Sequence, residues 1–190
     1  MITLALNGKT SWYIARSGGM VAWVLCTASI LWGLALSTRL IKKKGAPAWL
    51  LDMHRFLGTL SIIFTVVHLF GLYIDTYQPF SFADMLIPMN TKWRPGAVSW
   101  GIVGFYLLVA IQVTSWLMRK MPRKVWHAIH LGSFALFLFA TLHSFQAGHD
   151  KGNIFLQWVA LTGITMVLFL TIFRLLSPRK GQRAKVAAAS

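Results

Sequence analysis

The chain has 190 residues, of which 56% are hydrophobic and only 12% are charged, and its formal net charge is +15. So few charged residues cannot cover the surface of a water-soluble domain, which favours an integral membrane protein in contact with a lipid bilayer. The basic residues lie in short clusters between apolar runs, a pattern that argues against a nucleic-acid partner. The single cysteine, Cys26, excludes an intrachain disulfide and a cysteine-ligated cluster.

Five apolar segments are long enough to cross about 30 Å of hydrocarbon, which takes about 20 helical residues. The predicted spans, in chain order, are residues 18–38, 48–74, 97–118, 124–147 and 154–176. The expected fold class is all-α integral membrane, a five-helix transmembrane bundle occupying residues 18–176. Residues 1–17 are expected to form an extracytoplasmic N-terminal segment, and residues 177–190 a basic cytoplasmic tail.

Lysine and arginine in the short loops predict the orientation of these spans. They are concentrated after the first span, before the fourth span and in the C-terminal tail. The opposite side carries fewer basic residues and also holds Asp75, Asp84 and Asp150. The pattern predicts a multi-pass protein of a cell membrane, of bacterial type, with the N-terminus outside and the C-terminus in the cytoplasm.

The segment 78–89, between the second and third spans, is too apolar for a free loop and too short to span the membrane. We expect it to lie in the interface, either covering a site at the outer side or serving as a simple surface anchor.

Four histidines lie within the second and fourth spans, where ionisable side chains are costly and therefore indicate function. Both spans are predicted to start at the cytoplasmic side. His54 and His130 then lie about 10 Å from the starts of their helices, and His68 and His143 about 20 Å further out. The depths predict an inner pair, His54 with His130, and an outer pair, His68 with His143.

Two imidazoles at one depth match the axial ligation of a heme iron, and cofactor sites in helix bundles are built from facing helices. The chain is therefore expected to hold two b-type hemes between its second and fourth spans. The period of an ideal helix does not agree with this arrangement. Over the thirteen residues from His130 to His143 the side-chain direction changes by about 140°, so the two imidazoles would not lie on the same face of the helix. Either the fourth helix is overwound or bulged near Gly132, or the two hemes approach it from different sides.

Other readings of the histidines stay open. In the first alternative the histidines are packing residues that bond to neighbouring helices. In the second they form part of a metal-transport path, although such a path usually recruits carboxylates. His127 is expected to be interfacial or near a heme propionate, and His149 to lie in an outer loop. Heme propionates require cations, for which Arg55 on the inner side and Arg94 on the outer side are candidates.

Further motifs lie around these histidines. The chain carries Trp12-Tyr13-Ile14-Ala15-Arg16-Ser17-Gly18-Gly19 before the first span, His54-Arg55-Phe56-Leu57-Gly58 in the second, Trp126 four residues before His130, and His143-Ser144-Phe145-Gln146-Ala147-Gly148-His149-Asp150 at the end of the fourth. Together they resemble the ferric reductase-like transmembrane domain family, over about residues 12–150. That family includes ferric reductases, the membrane part of NADPH oxidases and the heme subunit of the bacterial periplasmic methionine sulfoxide reductase system.

The resemblance implies histidines spaced fourteen and thirteen apart on two helices, as they are here, with His54 and His130 on the inner heme iron and His68 and His143 on the outer one. It implies a transmembrane b-type cytochrome that passes single electrons from a cytoplasmic flavoprotein or quinone donor to an extracytoplasmic acceptor. No glycine-rich dinucleotide fingerprint follows the last span, so FAD or FMN is expected only through a partner or an unrecognised site. The alternatives are an electron-supplying subunit of a periplasmic reductase, such as a methionine sulfoxide reductase, and a heme-free transporter or structural membrane protein.

Overall fold

The computed structural model describes residues 8–38, 46–148 and 152–177. This part of the chain is helical and contains no strand. These residues form seven α-helices: α1 (Gly8–Thr38), α2 (Ala46–Tyr73), α3 (Phe82–Leu86), α4 (Pro95–Trp116), α5 (Arg123–Leu131), α6 (Ser133–Ala147) and α7 (Ile154–Leu176). A single 3₁₀ turn, Met118–Lys120, joins α4 to the loop before α5.

Five helical stretches in the described residues are long and apolar enough to cross a membrane, with α5 and α6 counted as one. They are Thr10–Thr38, Ala48–Tyr73, Pro95–Trp116, Arg123–Ala147 and Ile154–Leu176. The last four coincide with the predicted spans to within about two residues. The five-helix, all-α prediction is thereby confirmed, while the basic loop 39–45, His149 and the tail beyond 177 lie outside the described residues.

The first helix begins at Gly8, earlier than the predicted start of the first span at residue 18. The physical reason is packing on the end of α2. Ser11 and Ala15 are almost fully buried there, and the Ser11 hydroxyl donates a 2.8 Å hydrogen bond to Asp75 just after α2. Half of the predicted N-terminal segment is therefore a continuation of α1.

The bundle consists of two antiparallel helix pairs, α1 with α2 and α4 with α6, and α7 packs on the outside of α1. The first pair is very close, because Gly71 of α2 lies against the backbone of Ala15 and Gly18 of α1 lies against the backbone of His68. Small residues at such crossings let helix backbones approach in a membrane, where packing replaces the hydrophobic effect. In contrast, α2 and α6 face each other without close backbone packing, which leaves space between them.

The described residues form two clusters of buried apolar side chains. One, made by Ile30, Leu34, Phe137 and Val167, joins α1, α6 and α7. The other, made by Phe80, Met85, Val98 and Ile102, joins α3 and the residues before it to α4. Large apolar side chains such as Leu168, Phe169 and Ile172 of α7 are exposed, as expected for a surface that faces lipid.

Candidate functional site

The four span histidines meet in two pairs across the space between α2 and the helices α5 and α6. His54 faces His130 with 5.8 Å between ring centroids, and His68 faces His143 with 6.2 Å between them. The ring planes are nearly perpendicular in both pairs, at 73° and 76°. The fourteen residues from His54 to His68 separate the two levels by about 21 Å along α2.

These distances fit a metal bound between each pair. Two imidazole nitrogens on opposite sides of one metal are about 4 Å apart, because each bond is about 2 Å long, and the ring centroids are then about 6 Å apart. No group of three or more histidine, cysteine, aspartate or glutamate side chains meets anywhere in the described ranges. A metal here would have two protein ligands and would need the others from a bound group, and a heme is one group that supplies them.

Backbone carbonyls orient three of the four imidazoles. Nδ1 of His54 lies 2.8 Å from the carbonyl oxygen of Ser29, and Nδ1 of His68 lies 2.6 Å from that of Ala15. On the other side of the space, Nδ1 of His143 lies 2.8 Å from the carbonyl oxygen of Ala97. A carbonyl only accepts, so each Nδ1 must donate, which leaves Nε2 unprotonated and available to a metal.

The fourth histidine is held differently. The ring of His130 stacks on Trp126 one turn earlier, at 5.1 Å and 24°. Its Nδ1 is buried and has no hydrogen-bond partner among the described residues. His127, on the same helix, is exposed, and its ring centroid lies 6.1 Å from that of Trp126, at 41° between the ring planes.

The predicted irregularity of the fourth span is located at Gly132, which separates α5 from α6. The Gly132 N–H bonds the carbonyl of Ile129 at 2.9 Å, three residues back, which is a locally overwound 3₁₀-type turn. One such residue adds only about 20° of rotation. This turn therefore accounts for only a small part of the expected 140° mismatch, yet His130 and His143 each face a histidine of α2.

A cavity of about 640 Å³ lies at the outer level, in the size range of cofactor sites. His68 and His143 line it, and most of its wall is apolar. Phe80 and Met85 of the segment 78–89 are buried and also line it, so this segment covers one end of the cavity. A capping box between Ser81 and Asp84 holds the short helix α3 of that segment in place.

The structure places the two predicted propionate partners at opposite ends of the bundle. Arg55 is exposed, and its guanidinium lies 3.8 Å from the carboxylate of Asp52. Arg94 donates hydrogen bonds to the carbonyls of Gln146 and Ala147, at 2.7 and 3.4 Å, and thereby caps α6 just after His143. A guanidinium has five N–H donors, which is more than these two carbonyls accept.

Sequence reasoning missed several residues of this site. Arg16 lines the outer cavity, although in the sequence it stands only within the motif before the first span. Ser29 accepts through its backbone, and its hydroxyl also lies 3.2 Å from Nδ1 of His54 and donates to the carbonyl of His54 at 3.3 Å. The acceptors Ala15 and Ala97 act through their backbones, so their side chains give no signal. The glycines Gly19 and Gly33 of α1 do give one, because they are spaced by fourteen residues like His54 and His68 of α2.

Comparison with known proteins supports a family assignment. The family described as Ferric reductase like transmembrane component matches residues 18–142 of the chain, which include three of the four span histidines and end one residue before His143. No curated protein and no solved structure gave a match.

Proposed function

The chain belongs to the ferric reductase-like transmembrane family, and from that premise we propose that it is a b-type cytochrome that carries single electrons across the bilayer. The observation that carries the proposal is the meeting of His54 with His130, and of His68 with His143, at centroid distances that fit one iron each. Bound heme b supplies an iron that alternates between the ferric and ferrous states.

The residues of the chain hold and orient the two irons. The carbonyls of Ser29, Ala15 and Ala97 fix three imidazoles with Nε2 toward the site. The apolar walls of the outer cavity keep the dielectric constant low, which tunes the reduction potential.

Cations serve the propionates in this proposal. Arg55 is exposed one residue after His54, and on the other level Arg94 and Arg16 lie near the end of α6 and along the cavity. A guanidinium suits this role because it forms paired, charge-assisted hydrogen bonds with carboxylates.

Direction follows from the predicted orientation. The pair His54 and His130 lies at the cytoplasmic side and receives electrons from a flavoprotein or a quinone. The pair His68 and His143 passes them to an extracytoplasmic acceptor. The segment 78–89 restricts access of water to the outer level, since Phe80 and Met85 line its cavity.

Heme stoichiometry of the purified protein tests the proposal. We expect two hemes per chain by the pyridine hemochrome assay and b-type bands in dithionite-reduced spectra. His68→Ala and His143→Ala should each remove the outer heme, and His54→Ala and His130→Ala the inner one. His127→Ala is the matched control, because His127 is exposed on the same helix as His130.

Two results would overturn the proposal. One is the absence of heme from well-folded protein that was expressed with an adequate heme supply, which favours a heme-free transporter or a structural protein. The other is unchanged heme content in all four alanine variants, which places the ligands elsewhere.

A further inference from the structure

The three carbonyls that accept from the histidines share a feature of sequence. Each lies four residues before a glycine on the same helix. The pairs are Ala15 with Gly19, Ser29 with Gly33, and Ala97 with Gly101.

Each glycine lies directly against one of the histidines. It is the histidine whose Nδ1 bonds to the carbonyl four residues before that glycine. A Cβ added at Gly101 would lie 2.7 Å from Nδ1 of His143, and one at Gly19 would lie 2.9 Å from Nδ1 of His68. At Gly33 it would lie 3.3 Å from Cε1 of His54. The imidazole in each case occupies the space that any other residue would fill with its side chain.

Helix geometry explains why the glycine lies at this offset. Every Cα–Cβ bond of an α-helix tilts toward the N-terminus, so a side chain covers the carbonyl about one turn earlier. A glycine removes that cover. The exposed carbonyl has a second lone pair and accepts from an imidazole while it keeps its bond within the helix.

The fourth histidine lacks this arrangement. Because α4 and α6 are antiparallel and Ala97 lies against His143, a count of thirteen residues along each chain segment brings Ala110 and its neighbour Ile111 to the level of His130. The residues four positions later are Thr114 and Ser115, not glycine. Their hydroxyls donate to the carbonyls of Ala110 and Ile111, each at 2.7 Å, so these carbonyls are already covered.

We propose that Gly19, Gly33 and Gly101 are positioning residues that expose a helix carbonyl to the Nδ1–H of His68, His54 and His143 and thereby fix the tautomer and direction of each ring. His130, whose ring contacts Trp126 and His54 but whose Nδ1 has no hydrogen-bond partner among the described residues, is the least constrained of the four. The inference rests on the proposed function for its consequence, namely that the outer iron has two fixed ligands and the inner iron one.

The geometry is testable in heme-free protein, which separates it from the heme proposal. In ¹⁵N-histidine-labelled protein in lipid nanodiscs, ¹⁵N chemical shifts report which ring nitrogen is protonated. We expect His54, His68 and His143 to carry the proton on Nδ1. Gly101→Ala should shift the signal of His143 alone. Gly96→Ala, on the same helix with nothing within 4 Å of the added Cβ, should shift none.

The same variants have level-specific consequences in the heme-loaded protein. A lost hydrogen bond from Nδ1–H makes the imidazole a weaker donor, which disfavours ferric iron and raises the reduction potential. Gly101→Ala and Gly19→Ala should raise the outer potential or release the outer heme, and leave the inner heme in place. Gly33→Ala, with the mildest overlap and the best chance of folding, should change the inner heme alone.

Three outcomes would overturn the inference. The first is an unprotonated Nδ1 on His54, His68 and His143 in the heme-free protein. The second is an unchanged or lowered potential in all three glycine variants with both hemes bound. The third is a glycine variant that changes the potential or retention of both hemes equally, while Gly96→Ala changes neither heme.

Discussion

Replacement of Gly71 by alanine is expected to lower the heme affinity of the His68 and His143 pair, although it changes neither histidine. Gly71 lies on α2 one turn after His68, where α1 and α2 are in backbone contact. An added Cβ would lie 2.5 Å from the backbone nitrogen of Ala15 and 2.7 Å from its Cα. Both neighbours are backbone atoms, so no side chain can rotate away and the helices must separate.

The size of the effect follows from these distances. Real Cβ atoms do not approach other atoms closer than 3.0 Å, and ordinary contact begins at 3.4 Å, so α1 must move by about 0.5 to 0.9 Å. The bond from His68 to the carbonyl of Ala15, now 2.6 Å, would stretch to about 3.1 to 3.5 Å and weaken. A loss of about 1 kcal/mol for this bond lowers outer heme affinity about fivefold. Overpacking costs a further 1–3 kcal/mol of stability, roughly.

The assay is the rate of heme loss to excess apomyoglobin, with the outer heme identified from the spectrum of the His68→Ala variant. Thermal unfolding in detergent measures the loss of stability from overpacking. Gly96→Ala is the control for the change in helix propensity that any glycine-to-alanine substitution brings. Gly71→Ala should accelerate loss of the outer heme only. Equal loss from both levels, or no change at either, would refute the reasoning that close packing of α1 on α2 positions the Ala15 carbonyl.

Two further predictions concern the outer side. The hydroxyl and backbone N–H of Ser81 and the amide of Asn90 donate to Asp84 and hold the pKa of its carboxyl below the ordinary 3.8. This stabilisation of α3 is therefore present above pH 3.8 and is lost as the pH falls through the lower folded value. Hydrogen exchange of α3 should show that loss, and an identical pH profile in Asp84→Asn would contradict it. Arg94→Gln should lower stability by about 1 kcal/mol, because α6 loses a cation at its C-terminus, and should weaken the outer heme. Thermal unfolding and heme retention measure the two effects, and an unaltered value of both would exclude Arg94 from the site.

The spans are the part of the fold that composition and length predict well. Four of the five match the structure closely because the bilayer imposes a fixed length and an apolar surface on any helix that crosses it. The start of α1 at Gly8 could not be predicted in this way. It depends on Ser11 and Asp75, which are far apart in the sequence and meet only when α1 packs on α2.

The depths of the four histidines also follow from the sequence, since the helical rise converts residue counts into distance. Their directions do not. The period of an ideal helix places His130 and His143 on different faces, and only the structure shows that each nevertheless faces a histidine of α2, with a 3₁₀-type turn at Gly132 between α5 and α6.

The amino-acid sequence by itself thus determined that the protein has five helices able to cross a membrane and at what depths its four span histidines lie. The tertiary structure alone decided which atoms orient them. Those atoms are the backbone carbonyls of Ala15, Ser29 and Ala97, and every residue carries a carbonyl, so no residue type identifies them. Only the packing of α1 on α2 and of α4 on α6, with glycine at each crossing, brings a particular carbonyl within reach of a particular imidazole.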